Sequence, residues 1–123
     1  MLQNKLLILE DDLDLQINLV AYFEDEGFEC TGAESAEEAL NYLRENLFDL
    51  AIVDIGLPNI SGEEFITIVN KEFPSLKFVI YTGQPDFNLS NRLKSIDIKE
   101  NHLFRKPIFD YSLITKELLL LTS

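Results

Sequence analysis

Phe48-Asp49-Leu50-Ala51-Ile52-Val53-Asp54-Ile55-Gly56-Leu57-Pro58 decides the fold. Residues 50–53 are a short apolar run between Asp49 and Asp54, followed by a loop that carries Gly56 and Pro58. A run of that length and bounding reads as a strand buried on both faces, although periodicity alone also fits a buried helix. Asp54 stands where such a strand leaves the core. In an open α/β sheet, ligands bind at that carboxyl end. Strands also end in Asp simply because Asp suits turns, so the neighbouring segments must decide.

Working outward, residues 6–9 (Leu-Leu-Ile-Leu) form a first apolar strand running into Glu10-Asp11-Asp12. Residues 13–26 read as a helix with Leu13, Ile17, Val20 and Ala21 on one face. Leu15, Leu19, Tyr22 and Phe23 make its other side apolar too. Asp12 or Asp14 is its cap, and Gly27 suits a left-handed stop. Residues 28–33 are a more polar strand, expected near an edge. Ser35 and Glu38 form a capping box, opening a helix to about Asn46 with Ala39, Leu40 and Leu43 inward.

Beyond Pro58, Ser61 and Glu64 form a second capping box. Its helix presents Phe65, Ile66, Ile68 and Val69 as the apolar side and stops before Pro74. Residues 77–82 are a fourth strand ending in Thr82-Gly83. A short helix is expected over 89–95. Residues 103–105 are a fifth strand ending at Lys106-Pro107, and Asp110 caps a helix over 111–121. Five β-α repeats of these lengths predict a parallel sheet with helices on both faces.

Bulk properties bound the function. The 123 residues suit one domain, and a 46% hydrophobic composition with nine Phe can fill a core. A net charge of −12 argues against direct nucleic-acid binding, which needs clustered Lys and Arg. No apolar stretch approaches the roughly 20 residues of a membrane span, and no signal layout is seen at the amino terminus. Cys30 is the single cysteine and reads as a buried structural thiol in a reducing compartment. A cytoplasmic protein without a membrane segment is expected.

In such a sheet the strand ends converge. They deliver Glu10 and Asp11, Asp54, Thr82 and Lys106 to one side. Clustered carboxylates raise one another's pKa unless a cation intervenes. Oxygen ligands without Cys, and with the single His102 far in sequence from the acids, point to Mg²⁺, with Mn²⁺ as an alternative. A carboxylate beside such an ion can attack phosphorus. Lys106 would neutralise phosphoryl charge, and a hydroxyl such as that of Thr82 would bond a phosphoryl oxygen.

These segments together resemble the receiver domain of response regulators, the CheY-like phosphoacceptors of two-component, phosphorelay signal transduction. The similarity lies in 6–12, in 49–58 followed by Ser61-Gly62, in Val-Ile-Tyr-Thr-Gly at 79–83 and in Phe-Arg-Lys-Pro at 104–107. It implies a (βα)5 flavodoxin-like fold, five parallel strands in the order 2-1-3-4-5, and one receiver domain over 1–123 without an output domain. It implies that Asp54 accepts the phosphoryl group of a histidine kinase or histidine phosphotransfer protein. Asp11 would hold Mg²⁺ directly, Glu10 through water, with Asp54 and the main-chain carbonyl of Gly56 as further ligands. Thr82 would move toward the phosphoryl group and Lys106 would pair with it, after a cis Lys106-Pro107 bond. Such a domain is a phosphoacceptor rather than an enzyme, limited to self-phosphorylation from small donors and self-dephosphorylation. Its output partner is unknown, and a homodimer through the fourth and fifth helix face is one arrangement.

The chain departs from the family pattern at Leu103, where an aromatic switch residue is usual. Phe104 follows, but successive strand residues point to opposite faces. Residues 97–102 lack the Gly-Ala turn usual before the fifth strand. Gly56 and Gly83 leave the expected site open to small donors and water. Leu118 to Leu121 cannot all face inward on one helix; they form a buried last turn or a dimer or docking face. Two other readings stand beside the phosphoacceptor. One is a divergent receiver serving as a phosphorylation-independent interaction scaffold. The other is a haloacid dehalogenase-like phosphohydrolase, whose second Asp would be replaced here by Gly56.

Overall fold

The apolar runs become the centre of the molecule. In the computed structural model, which describes residues 4–122, β1 (Lys5–Leu9), β2 (Glu29–Ala33), β3 (Leu50–Val53), β4 (Lys77–Thr82) and β5 (Leu103–Arg105) form one parallel sheet. The order is β2-β1-β3-β4-β5, with Leu6 opposite Leu50, Val53 opposite Ile80 and Thr82 opposite Arg105. The polar second strand lies at an edge, as its composition predicts.

Alternation along the strands divides the core in two. Leu7, Leu9, Ala51, Val53, Phe78 and Ile80 face α2 (Ala36–Glu45), α3 (Gly62–Glu72) and α4 (Asn91–Lys94). Leu6, Ile8, Leu50, Ile52, Val79 and Tyr81 face α1 (Leu13–Asp25) and α5 (Ser112–Leu121). Each fully buried Leu or Ile contributes about 1.5–3 kcal/mol. A charge inside β1 or β3 would forfeit that on one face, so the acidic residues follow the strands rather than interrupt them.

The first three helices keep their predicted N-caps with some changes of face, whereas Tyr111, not Asp110, stands at the N-cap of α5. Ser35 and Ser61 accept from the N–H groups of Glu38 and Glu64, each at 3.1 Å. On α3, Phe65, Ile66 and Val69 are buried, but Ile68 is exposed. The expected face of α1 is corrected: Gln16, Leu19 and Phe23 point inward, Val20 is half-buried, and Leu13, Ile17 and Ala21 are exposed. That helix is apolar on both sides, so periodicity could not choose. Gln16 fixes the choice by donating from Nε2 to the Glu10 carbonyl at 2.9 Å. Gly32 makes room for it, since a Cβ there would lie 2.7 Å from Gln16 Cδ.

The fourth β-α unit is the least regular. α4 is a single turn capped by Ser90, which accepts from the Leu93 N–H at 3.2 Å, so it starts later than expected. Asp97 takes φ +67° where a glycine would be usual; Asp tolerates this region better than most residues. A 3₁₀ turn (Glu100–His102) then leads into β5. Asp110 accepts from the Ser112 N–H at 3.0 Å, beginning α5 one residue later than predicted. Of the four consecutive leucines, Leu118 is buried while Leu119 and Leu120 are exposed, so a wholly buried last turn is ruled out. Cys30 is only half-buried, and burial pushes its thiol up to about 12. Among the described residues, no helix is long and apolar enough to cross a membrane.

Candidate functional site

Three site residues are placed by a main-chain bond to the neighbouring strand. The Glu10 N–H donates to the Ala33 carbonyl at 3.0 Å, that of Asp54 to Leu9 at 3.1 Å, and that of Lys106 to Thr82 at 2.8 Å. The parallel ladders thus continue one residue past β1, β3 and β5 and bring three side chains to one end of the sheet. The Lys106-Pro107 bond is cis, as expected.

The side chains converge as predicted, with one exception. Lys106 Nζ donates to Glu10 Oε1 at 2.7 Å and to Asp54 Oδ2 at 3.1 Å. Glu10 is 2% exposed and Asp54 7%, whereas Asp11 is exposed. Carboxylate oxygens of Glu10, Asp11 and Asp54 lie within 4.8 Å of one another. The Gly56 N–H donates to Asp54 Oδ1 at 3.1 Å, fixing the plane of that carboxylate. Thr82 is the exception: it is fully buried, and its Oγ1 accepts from the Gln84 N–H at 3.1 Å.

The electrostatics follow from burial and pairing. Burial raises the Glu10 carboxyl above its ordinary range, against the pull of hydrogen bonds from Lys106 and the Asp12 N–H. For Lys106, burial acts downward, but the bonds and charges of Glu10 and Asp54 outweigh it and the net shift is upward. Three carboxylates against one ammonium leave two formal negative charges. A hard divalent cation fits both that charge and the all-oxygen donor set.

Several contributors were not foreseen from sequence. Gln16 supports the Glu10 carbonyl from below. The Gln84 amide lies beside Gly56, 3.2 Å from where a Cβ would stand. Arg105 donates to the Gln84 and Pro85 carbonyls at 3.4 Å and to the Phe87 carbonyl at 2.7 Å, tying β5 to the loop after Thr82. Two glutamines and an arginine, set in a helix, a loop and a strand end, share no sequence signal; only the fold brings them to the site. Leu103 and Phe104 behave as alternation requires, Leu103 packing on the α3/α4 side and Phe104 on the α1/α5 side.

Known proteins are similar to this chain in sequence and in fold. The sequence model of the response regulator receiver domain matches residues 6–117. The transcriptional regulatory protein FlgR of Helicobacter pylori is 31% identical over 104 residues, covering 84% of this chain and 26% of FlgR. The transcriptional regulatory protein PhoP of Escherichia coli O157:H7 is 36% identical over 80 residues, 65% of this chain and 36% of PhoP. The chain therefore spans about a quarter to a third of the length of these relatives. Among solved structures, the response regulator TrrA of Thermotoga maritima in complex with Mg²⁺-BeF superposes with a TM-score of 0.83 at 24% identity, covering 97% of this chain and 99% of that one. TrrA in complex with the histidine kinase ThkA gives 0.84, again at 24% identity, over 98% of this chain and 100% of that one. With the fold and 112 consecutive residues (6 to 117 inclusive) matched, the chain belongs to the response regulator receiver domain family of two-component signalling.

Proposed function

We propose that this domain accepts a phosphoryl group on Asp54 from the phosphohistidine of a histidine kinase or phosphotransfer protein, in a Mg²⁺-dependent reaction, and thereby switches partner binding. The observation that carries this reading is the placement of Asp54. It is a nearly buried carboxylate at a strand end, held by Lys106 at 3.1 Å and within 4.8 Å of two further carboxylates. An Asp54 oxygen attacks phosphorus, an acyl phosphate forms, and the P–N bond breaks with its electron pair going to the departing imidazole. Lys106 holds the nucleophile before transfer, and its ammonium is within reach of a phosphoryl oxygen afterwards. The Thr82 hydroxyl, which now accepts from Gln84, still has its own proton to donate to a second phosphoryl oxygen.

Glu10, Asp11, Asp54 and the Gly56 main-chain carbonyl would hold Mg²⁺; Mn²⁺ suits the same oxygen set. When bound, the ion supplies positive charge against the carboxylates and the phosphoryl oxygens. We take residues 1–123 as one receiver domain that is a phosphoacceptor rather than an enzyme. Its own chemistry is self-phosphorylation from small donors and hydrolysis of its own acyl phosphate. A cytoplasmic location accords with the free Cys30 thiol.

Partners are read from exposed apolar groups. Leu13 and Ile17 on α1, which follows Asp11 and Asp12 in the chain, and Phe109, 99% exposed and three residues after Lys106, are exposed apolar groups near the site in sequence. They suit a partner that brings an apolar surface with its phosphohistidine. A homodimer through the α4/α5 face would use Leu119 and Leu120. The scaffold reading is favoured by Leu103 and by the unusual 97–102 stretch, and the intact carboxylate–lysine cluster weighs against it.

The test is intact mass after exposure to acetyl phosphate, with and without Mg²⁺, for wild type and Asp54→Asn. A single phosphoryl adduct that requires Mg²⁺ and disappears in the variant is expected. Absence of an adduct in wild type, together with no thermal stabilisation by Mg²⁺, would favour the scaffold.

A further inference from the structure

We propose that Tyr81 is the positioning residue for Lys106, holding the lysine ammonium by its ring face and the lysine's own turn by its hydroxyl. This rests on the phosphoacceptor reading of Asp54. Tyr81 occupies the last β4 position before Thr82 and is 2% exposed. Lys106 Nζ stands over its ring, 5.6 Å from the centroid. The Tyr81 hydroxyl accepts from the Ile108 N–H at 3.3 Å, two residues beyond the lysine. One side chain therefore grips both ends of the lysine's support.

Strand geometry explains why this residue has the role. Tyr81 is opposite Phe104 in the β4–β5 ladder, and both face α1 and α5. Alternation puts Gly83 and Lys106 in the same row, one step further along. The lysine stem passes over Gly83, where a Cβ would lie 3.6 Å from Lys106 Cδ. Gly83 has no side chain to brace it. Tyr81 is the diagonal neighbour, and such neighbours are within reach of aromatic side chains.

The Tyr81 ring is itself fixed. Tyr111, at the N-cap of α5, meets it edge-on at 6.0 Å, and Tyr22 of α1 meets Tyr111 at 5.4 Å. A buried tyrosine with a satisfied hydroxyl is an ordinary core element. This one differs because its polar partners, the Lys106 ammonium, the Ile108 N–H and the Tyr111 hydroxyl, all belong to the β5–α5 connection that carries Lys106. The ring face attracts a cation without demanding a particular N–H direction. It can therefore keep the ammonium at the site while its hydrogen bonds pass from Asp54 to a phosphoryl oxygen.

Two measurements on Tyr81→Leu, Tyr81→Met and Tyr81→Phe test this, with Tyr81→Met as the closer match in volume should Tyr81→Leu not fold. The first is the rate of phosphorylation by acetyl phosphate in Mg²⁺ as a function of donor concentration. The second is the ¹⁵N signal of the Lys106 ammonium in metal-free protein, assigned by its loss in Lys106→Met; bonded ammonium groups exchange slowly enough to give one. Loss of a desolvated cation–π contact is expected to lower the saturating rate about tenfold in the Leu and Met variants, with half-saturation by donor unchanged. Tyr81→Phe, which keeps the ring, should rescue most of the rate. The ammonium signal should persist in Tyr81→Phe and vanish in the other two. A wild-type rate or a wild-type ammonium signal in folded Tyr81→Leu or Tyr81→Met overturns the proposal. If wild type takes no phosphoryl group and is not stabilised by Mg²⁺, the phosphoacceptor reading fails, and the ammonium signal alone decides whether Tyr81 holds Lys106.

Discussion

Lys106 Nζ and Glu10 Oε1 stand 2.7 Å apart, joined across 96 residues of chain. The same ammonium holds Asp54, so one positive charge separates two buried carboxylates. Lys106→Met removes it and leaves two like charges in contact. Breaking a fully buried pair costs about 3–5 kcal/mol. The lysine side chain is one-fifth exposed, so a loss of about 2 kcal/mol is expected in metal-free protein. Urea unfolding with and without Mg²⁺ checks this, and Mg²⁺ should restore much of the loss. Equal stability of the variant and wild type without metal would show that the pair holds nothing together.

His102 makes stability depend on pH in the mildly acidic range. Burial lowers its pKa; Glu117 pulls it up and Lys99 pulls it down, with a net downward shift. Its Nδ1 accepts from the Lys99 N–H at 3.1 Å, which needs the neutral ring. Below the ordinary histidine value near 6.5, the unfolded chain takes up a proton before the folded one. The contribution is therefore complete above that value and is lost as pH falls through the folded pKa. His102→Asn keeps an acceptor for Lys99 and removes the titration. The stability difference between pH 7.5 and pH 5.5, from urea melts, should be smaller in the variant. An unchanged difference would assign the acid sensitivity to other groups.

The strand ends were legible because their chemistry lies in contiguous residues. Glu10-Asp11, Asp54 and Thr82 each follow an apolar run, Lys106 closes the short strand Leu103-Phe104-Arg105, and a parallel sheet must gather such ends. What was not legible depends on a choice among equal faces or on contacts between distant loops. The inward face of α1 turned on Gln16 finding the Glu10 carbonyl through a space left by Gly32. The turn before β5 relied on Asp97 adopting a positive φ, which its residue type permits but does not announce. Tyr81 reads as one apolar strand residue among several until Lys106 is placed above it.

Gly62 and Gly83 should respond oppositely to a methyl group. A Cβ at Gly62 would collide with the Asp54 carbonyl oxygen and lie 2.7 Å from Ile55 Cα, both main-chain atoms that cannot rotate away. Gly62→Ala should therefore displace the Asp54 turn and cost about 1–3 kcal/mol, as overpacking does. A Cβ at Gly83 meets the lysine stem at 3.6 Å, an ordinary contact. Gly83→Ala should be neutral or stabilising by up to about 1 kcal/mol through the unfolded chain. Thermal unfolding of the two variants side by side separates these outcomes, and a tolerated Gly62→Ala would contradict the close packing of α3 on Asp54.

On the proposed phosphoacceptor reading, Gly56 is expected to govern water access to Asp54. It is exposed, its N–H donates to Asp54 Oδ1, and a Cβ there would lie 3.8 Å from that oxygen and 3.2 Å from the Gln84 amide. Because the amide is the end of a flexible side chain, it can yield, so Gly56→Asn and Gly56→Met should fold normally. Their side chains would cover the carboxylate where Gly56 leaves it open. Hydrolysis of the acyl phosphate needs a water on that oxygen's phosphorus, and raising its barrier by about 1 kcal/mol lengthens the lifetime about fivefold. Gln84→Ala removes cover from the same side and should shorten it. The decay of the phosphoryl adduct by intact mass, after the donor is removed, reads all three variants. Unchanged lifetimes in all three variants would show that neither Gly56 nor Gln84 controls the water that hydrolyses the adduct.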